Sequence, residues 1–236
     1  MVSAPLLEAR DVRAVRQGDS GPVAVLDGID LTLQRGQLVE VVGPSGSGKT
    51  TLLMALARLL PGAEGQITLD GRPAHEFDPA EWRTLVALLP QRPTLVPGTV
   101  VENLRLPWRL KVRDGVEAPS DDALRAALDG VGLADVGPDR DVSRLSVGQA
   151  SRIALLRTVL TGPRVLLLDE PDASLDDASA AEVTRVTRAF VADGGCVLRV
   201  SHVRADAAAQ ARYRLTEGTL TALDGVGDAA RGTPHA

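Results

Sequence analysis

Aromatic side chains are nearly absent from this chain: 2% of its 236 residues, made up of two Trp, two Phe and one Tyr. Proteins that hold single-stranded nucleic acid by stacking bases on aromatic platforms need more than this. Cysteine occurs once, at Cys196 in an apolar run, so no internal disulfide can form and a reducing cytosol is expected. No stretch approaches the roughly 18 consecutive apolar residues of a membrane span. Met1 to Arg10 lack an apolar signal core. A role at a membrane would therefore need another chain to supply the spanning part. Charge of one sign is not concentrated either. Net charge is -5 and like charges form no long block, so no nucleic-acid partner is expected. What remains is 44% hydrophobic and 24% charged residues, the balance of an ordinary globular chain with length for a sizeable core.

The first third reads as β-rich. Leu6 to Val12 is strand-like, Gln17 to Pro22 is a turn, and Val23 to Leu26 and Ile29 to Leu33 follow. Leu38-Val39-Glu40-Val41-Val42 is a run of buried-strand length that feeds into a glycine-rich loop. Thr50 to Leu60 predicts a helix, apolar almost all round and so buried, ended by Pro61-Gly62. Ile67 to Leu69 with Asp70-Gly71 suggests a strand and tight turn. From about Gln91 to Leu160 the pattern is helical. Thr99 and Glu102 make a T-x-x-E capping box. Ser120-Asp121-Asp122 opens a helix with Leu124, Ala127, Leu128 and Val131 on one face, and Ser146 can cap another carrying Ile153, Leu156 and Leu160. Strand returns over Val165 to Leu168, helix over about Ala178 to Val191, and strand over Cys196 to Val200. No internal repeat is present. The pattern predicts an α/β core with a helical insertion, and a loose tail from Gly225 to Ala236.

Gly43-Pro44-Ser45-Gly46-Ser47-Gly48-Lys49-Thr50 has the form G-x-x-x-x-G-K-T between a predicted strand and a predicted helix. The glycines let backbone N–H groups, with Thr51 next along the helix, curl around phosphate oxygens at a positive helix terminus. Lys49 can neutralise β- and γ-phosphates, and Thr50 offers a hydroxyl to Mg²⁺. Asp169 and Glu170 end the strand at Val165 to Leu168. By themselves they read equally as an acidic turn after a core strand. Beside a phosphate loop, Asp169 is placed to hold Mg²⁺ through water, and Glu170 to orient or deprotonate an attacking water.

Leu145-Ser146-Val147-Gly148-Gln149 begins a helix, where Ser146 and the N–H groups of Val147 and Gly148 would face a phosphate. The order of phosphate loop, LSVGQ and Asp169-Glu170 resembles the nucleotide-binding domain of ATP-binding-cassette (ABC) proteins over nearly the whole chain. That resemblance implies one domain with a P-loop NTPase core at about 1–90 and 161–223. It adds an N-terminal antiparallel β subdomain, an inserted α-helical subdomain at about 91–160 and a flexible tail at 224–236. It also implies ATP and Mg²⁺ as cofactors and a homodimer that sandwiches two ATP molecules. Ser146, Val147, Gly148 and Gln149 would then reach the ATP of the other protomer, and Asp176, in Pro171-Asp172-Ala173-Ser174-Leu175-Asp176, would shape the dimer interface. Gln91 matches the glutamine that senses Mg²⁺ and the lytic water. His202 matches the histidine that contacts the γ-phosphate and Glu170.

The chain departs from the family pattern in places. Val147 stands where Gly is usual, Ser201 replaces the Thr before the histidine, and Val203 replaces the Asp after it. No aromatic occurs in Asp11 to Arg16 to stack on adenine. Arg16 falls near that position, as either a base-stacking guanidinium or a solvated surface arginine.

The implied activity is that of an ATPase subunit powering a separate integral-membrane permease. It would sit at the cytoplasmic face of the cell membrane and be soluble when isolated. Pro93 to Leu104, continuing through Trp108, resembles more narrowly the stand-alone ATPase subunits of an iron-export group, implying metal export. Trp108 would either meet the permease or pack within the insertion. The competing function is a soluble ABC-type regulator. A P-loop kinase or GTPase has no use for LSVGQ with His202. His75, His202, His235 and Cys196 share no metal-ligand spacing.

Overall fold

Leu38–Val42 and Val165–Asp169 are apolar at nearly every position, a pattern suited to strands covered on both faces. In the computed structural model, which describes residues 4–18, 21–173, 175–201 and 208–223, both lie inside a six-stranded sheet. In chain order the strands are β1 (Leu7–Gly18), β2 (Gly21–Leu33), β3 (Leu38–Val42), β4 (Glu64–Leu69), β5 (Arg72–Pro73), β6 (Val86–Leu89), β7 (Val165–Asp169), β8 (Cys196–Ser201), β9 (Ala211–Thr216) and β10 (Thr219–Ala222). The helices are α1 (Lys49–Leu56), α2 (Pro79–Leu85), α3 (Val100–Arg105), α4 (Asp121–Asp129), α5 (Val147–Val159) and α6 (Asp177–Ala192). An antiparallel sheet of order β2-β1-β4-β5 stands beside a mixed sheet of order β10-β9-β3-β8-β7-β6, which is parallel except for the β9–β10 hairpin. The predicted α/β class, antiparallel N-terminal sheet and mainly helical stretch between β6 and β7 are all present.

Strand alternation divides the core in two. Val165 and Leu167 of β7 point into a cluster with α1, β1 and β2 (Leu52, Leu53, Leu56, Val12, Ile29). Leu166 and Leu168 point the other way, onto Leu104, Leu128, Ile153 and Leu156 of the helical stretch. The predicted caps form. Thr99 and Glu102 make the reciprocal capping box of α3, and Ser120 Oγ accepts from Ala123 N at the start of α4.

Three expectations need correction. Helix α1 stops at Leu56, short of the expected Leu60. Arg58 takes a left-handed φ of 54°, and Leu59 N and Arg58 N donate to Met54 O and Ala55 O, closing a Schellman motif. The Arg58 guanidinium holds this turn by donating to Ala74 O (2.6 Å) and Phe77 O (3.0 Å). Second, Val23 to Leu26 and Ile29 to Leu33 are parts of one strand, β2, whose pairing with β1 shifts register at bulges. The partner β1 likewise runs on through Arg13 to Gly18. Third, β9 and β10 carry no sequence-level apolar run, yet they complete the sheet, with Glu217 (φ 49°) and Gly218 (φ 77°) forming the turn between them. The expected tail at 224–236 lies outside the described residues.

Candidate functional site

Strand β3 delivers Gly43 at its C-terminal end inside the sheet, where the backbone must pass very close to β9. A Cβ on Gly43 would lie 2.3 Å from Leu215 O. At the far end of the loop Gly48 has φ 101° and caps α1. Lys49 is the first residue of α1 and is almost fully buried. Its Nζ turns back to donate to Gly43 O (2.8 Å) and Pro44 O (3.0 Å), so the ammonium sits in the bowl of the loop. Burial pushes its pKa below the usual lysine range, and the negative charges of Glu170 and Asp169 oppose that push. Ser47 Oγ is buried with no hydrogen-bond partner among the described residues.

The strand β7 brings the two carboxylates to the same place. Thr50 Oγ1 donates to Asp169 Oδ2 at 2.9 Å, and Gln91 Nε2 donates to Glu170 Oε2 at 2.8 Å. Both carboxylates are buried. A cleft of about 890 Å³ is lined by Arg16, every residue from Pro44 to Thr51, Gln91 and Glu170. Its outer wall is aliphatic, from Val15, Val23 and Val25, with the β9–β10 turn (Thr216, Glu217, Gly218) closing one side. That turn was not legible in the sequence, because its place depends on β9 pairing with β3.

The LSVGQ residues do not line this cleft. They start α5, where Ser146 Oγ accepts from Gln149 N (3.2 Å) and Gln149 Oε1 accepts from Ser146 N (3.0 Å). The Gln149 amide is thus committed to its own helix cap, and Val147 is left 67% exposed. Asp176 caps α6 by accepting from Ser179 N at 2.7 Å. Hydrogen bonds from the Ser179 backbone and hydroxyl hold its carboxyl below the usual range. His202 and Ser174 lie outside the described residues. Trp108 is half-buried, its indole N–H enclosed without a partner among the described residues and its ring beside the Arg113 guanidinium.

The sequence also concealed a buried polar cluster beside the carboxylates. Glu40 accepts from Ser201 Oγ (2.9 Å) and Arg212 Nε (2.8 Å), and Arg199 Nη2 donates to Asp172 Oδ2 (2.6 Å). The available signal was one charged residue lodged in each of two apolar strand runs, Glu40 in β3 and Arg199 in β8.

A protein-family model described as ABC transporter matches residues 26–173. The chain belongs to the ABC transporter family. It carries the ATP-binding, ATP-hydrolysing domain of that family. It is 37% identical over 225 residues to the hemin import ATP-binding protein HmuV of Nocardia farcinica, covering 93% of this chain and 77% of that protein. To the probable iron export ATP-binding protein FetA of Escherichia coli it is 31% identical over 201 residues, 85% of this chain and 86% of that one. Protein STAR1 of Oryza sativa is 39% identical over 191 residues, and there the match spans 79% of this chain but only 53% of the relative. Among solved structures, a bacterial Atm1-family ABC exporter with ATP bound superposes with a TM-score of 0.78 at 25% identity, over 94% of this chain and 39% of that one. An ATP-binding cassette in a dimeric post-hydrolysis state with ADP and phosphate shares the fold, with a TM-score of 0.76 at 24% identity over 93% and 99% of the two chains. No helix among the described residues is long and apolar enough to cross a membrane.

Proposed function

We propose that this ABC domain hydrolyses Mg-ATP to drive a separate integral-membrane permease, docking at the cytoplasmic face of the membrane and closing as a homodimer on ATP. One observation carries the proposal: Lys49, the Thr50–Asp169 pair and the Gln91–Glu170 pair converge on a single glycine-rich loop. In this reading the loop from Gly43 to Thr51, through the N–H groups of every residue but Pro44, holds the triphosphate, and Lys49 exchanges its two loop carbonyls for β- and γ-phosphate oxygens. The buried hydroxyl of Ser47, without a partner among the described residues, supports a ligand seated in the loop.

Thr50, Asp169 and Gln91 would hold Mg²⁺, a small oxygen donor set suited to an ion that keeps several of its waters. When bound, the ion supplies neutralisation of phosphate charge. Glu170 accepts a proton from the water that attacks the γ-phosphorus as the bond to the β–γ bridging oxygen breaks, giving ADP and phosphate. Gln91 orients that carboxylate. His202 is assigned the γ-phosphate contact. The base lies against Arg16 and the aliphatic wall of Val15 and Val23. Ser146, Val147, Gly148 and Gln149, with Asp176, serve the second protomer's nucleotide, for which the exposure of Val147 on α5 and the absence of all five from the lining of their own chain's cleft give support.

The division into a core at about 1–90 and 161–223 and a helical part at about 91–160 belongs to the same proposal. It draws support from the first hydrophobic cluster, which contains no residue of 91–160, while the buried apolar residues of 91–160 all join the second, which they share with β3, β6, β7 and β8. The cargo is proposed to be a metal, with iron export favoured by the likeness to FetA. The test is a pull-down from membranes of the source cell with the Glu170→Gln form and Mg-ATP. Recovery of a multi-span permease is expected, and analysis of that chain identifies the cargo. Recovery of soluble or ribosomal partners alone would replace the transporter with a soluble regulator.

A further inference from the structure

The Arg199–Asp172 pair has no part in the cycle above, yet it is buried next to it. Its two side chains are 4% and 15% exposed. A buried ion pair is a weak source of net stability compared with apolar side chains of the same volume, but removing one partner is costly, so it acts as a strong constraint on geometry. What it constrains follows from the backbone. Asp172 lies two residues beyond Glu170, and Arg199 adjoins Val200 on β8.

Glu170 has φ 47°, a left-handed conformation that a non-glycine residue keeps only where its surroundings over-determine it. Three contacts do so. Glu170 N donates to Val200 O (3.1 Å), Ala173 N donates back to Glu170 O (3.2 Å), and Arg199 Nη2 grips Asp172 Oδ2 (2.6 Å). Two adjacent residues of β8 thus fasten the turn after β7, one through the backbone and one through a side chain. The other end of the same strand segment is tied in as well. Ser201 donates to Glu40, which also accepts from Arg212, so β8 is braced against β3 and β9 where it holds the turn.

We propose that the Arg199–Asp172 pair is the positioning device for Glu170, fixing the strained turn that aims its carboxylate while touching neither nucleotide nor water. The inference rests on the reading of Glu170 as the group that activates water. Without the pair the turn relaxes toward an ordinary φ, and the carboxylate moves relative to the phosphate loop. Nucleotide binding, which uses α1 and the loop, is untouched.

The experiment is steady-state ATP hydrolysis by the full chain carrying Arg199→Leu with Asp172→Leu, a replacement that removes both charges of the pair together, with thermal melting as the check on folding. The expected result is a kcat lower by about tenfold to a hundredfold with KM for ATP within about twofold of wild type. Arg199→Lys, which keeps charge and donor, restores most of the turnover. In a Glu170→Gln background the same leucine pair lowers the residual rate by less than about twofold, because the two changes act through one group. Wild-type kcat in the leucine pair, or a full multiplicative loss in the Glu170→Gln background, overturns the proposal. If the leucine pair does not fold, Asp172→Asn gives the reading: a several-fold loss of kcat at constant KM supports the proposal, and unchanged kcat overturns it. Wild-type turnover by Glu170→Gln alone is a different outcome, since it removes the catalytic role of Glu170 itself.

Discussion

Gln91 and Glu170, separated by 79 residues in sequence, are joined by a hydrogen bond of 2.8 Å from the amide to the carboxylate. Gln91 follows β6 at the entrance to the helical stretch, and Glu170 follows β7, so the bond spans the two strand ends. Its removal takes away one hydrogen bond that orients the carboxylate beside the glycine-rich loop. Gln91→Ala is expected to lower kcat for ATP by about tenfold to a hundredfold, within the range supplied by a well-placed general base. Nucleotide affinity, which the proposal assigns to the loop and Lys49, should hold. Unchanged turnover in a phosphate-release assay would remove Gln91 from the site.

Arg58 sets two effects against each other. Its left-handed φ favours glycine by about 1–2 kcal/mol, whereas its guanidinium makes two charged hydrogen bonds to carbonyls, each contributing about 1.5–3 kcal/mol. The hydrogen bonds win. Arg58→Gly is expected to be less stable by about 1–5 kcal/mol in urea denaturation. A variant more stable than wild type would mean that the guanidinium contacts are incidental.

The capping box of α3 gives the protein an acid-side signature. Backbone and hydroxyl hydrogen bonds from Thr99 hold the Glu102 carboxyl below its ordinary value of 4.5. The unfolded chain therefore binds the proton more tightly than the folded one between the two values, and stability rises with pH across that window. The contribution is fully present above the ordinary value and disappears as pH falls through the folded one. Glu102→Gln should melt lower than wild type at about pH 6, and the gap should narrow at about pH 3. A melting difference that is the same at both pH values would contradict the charge-based cap.

Cys196 is fully buried in β8, and burial pushes its thiol up to about 12. The native protein should resist a thiol reagent both at neutral pH and at about pH 9, where an exposed cysteine is largely ionised and reacts readily. Labelling should appear only with unfolding, making Cys196 a probe of global opening. Rapid labelling under native conditions would show that β8 opens locally.

Much of this architecture could be read before the structure, for identifiable reasons. Strands β3 and β7 are covered on both sides, so their apolar runs marked them to the residue or nearly so. Thr99 with Glu102, Ser120 and Ser146 announced helix starts because capping is a local interaction. The meeting of the glycine-rich loop with Asp169 and Glu170 was legible because the motifs proposed for phosphate chemistry place fixed residues at strand ends. The failures all concern tertiary decisions. Arg58 ends α1 in a conformation usually signalled by glycine, and what makes it tolerable is a pair of carbonyls from Ala74 and Phe77. Strand β9 has alternating polar residues and owes its place to β3. Glu40 and Arg199 looked like interruptions of apolar strands, and only the sheet order shows where their opposite charges find partners.

The shortage of aromatic residues has a practical consequence. Trp82 is fully buried against Phe77, and its indole N–H donates to Leu56 O at 2.9 Å, the last residue of α1. Lys49, at the other end of that short helix, lies in the phosphate loop. Any displacement of α1 along its axis when the loop fills must stretch or shorten the bond to Trp82. With one other tryptophan in the chain, at Trp108, this protein contains its own optical strain gauge for nucleotide seating, and Trp108→Phe would isolate the signal without adding a dye.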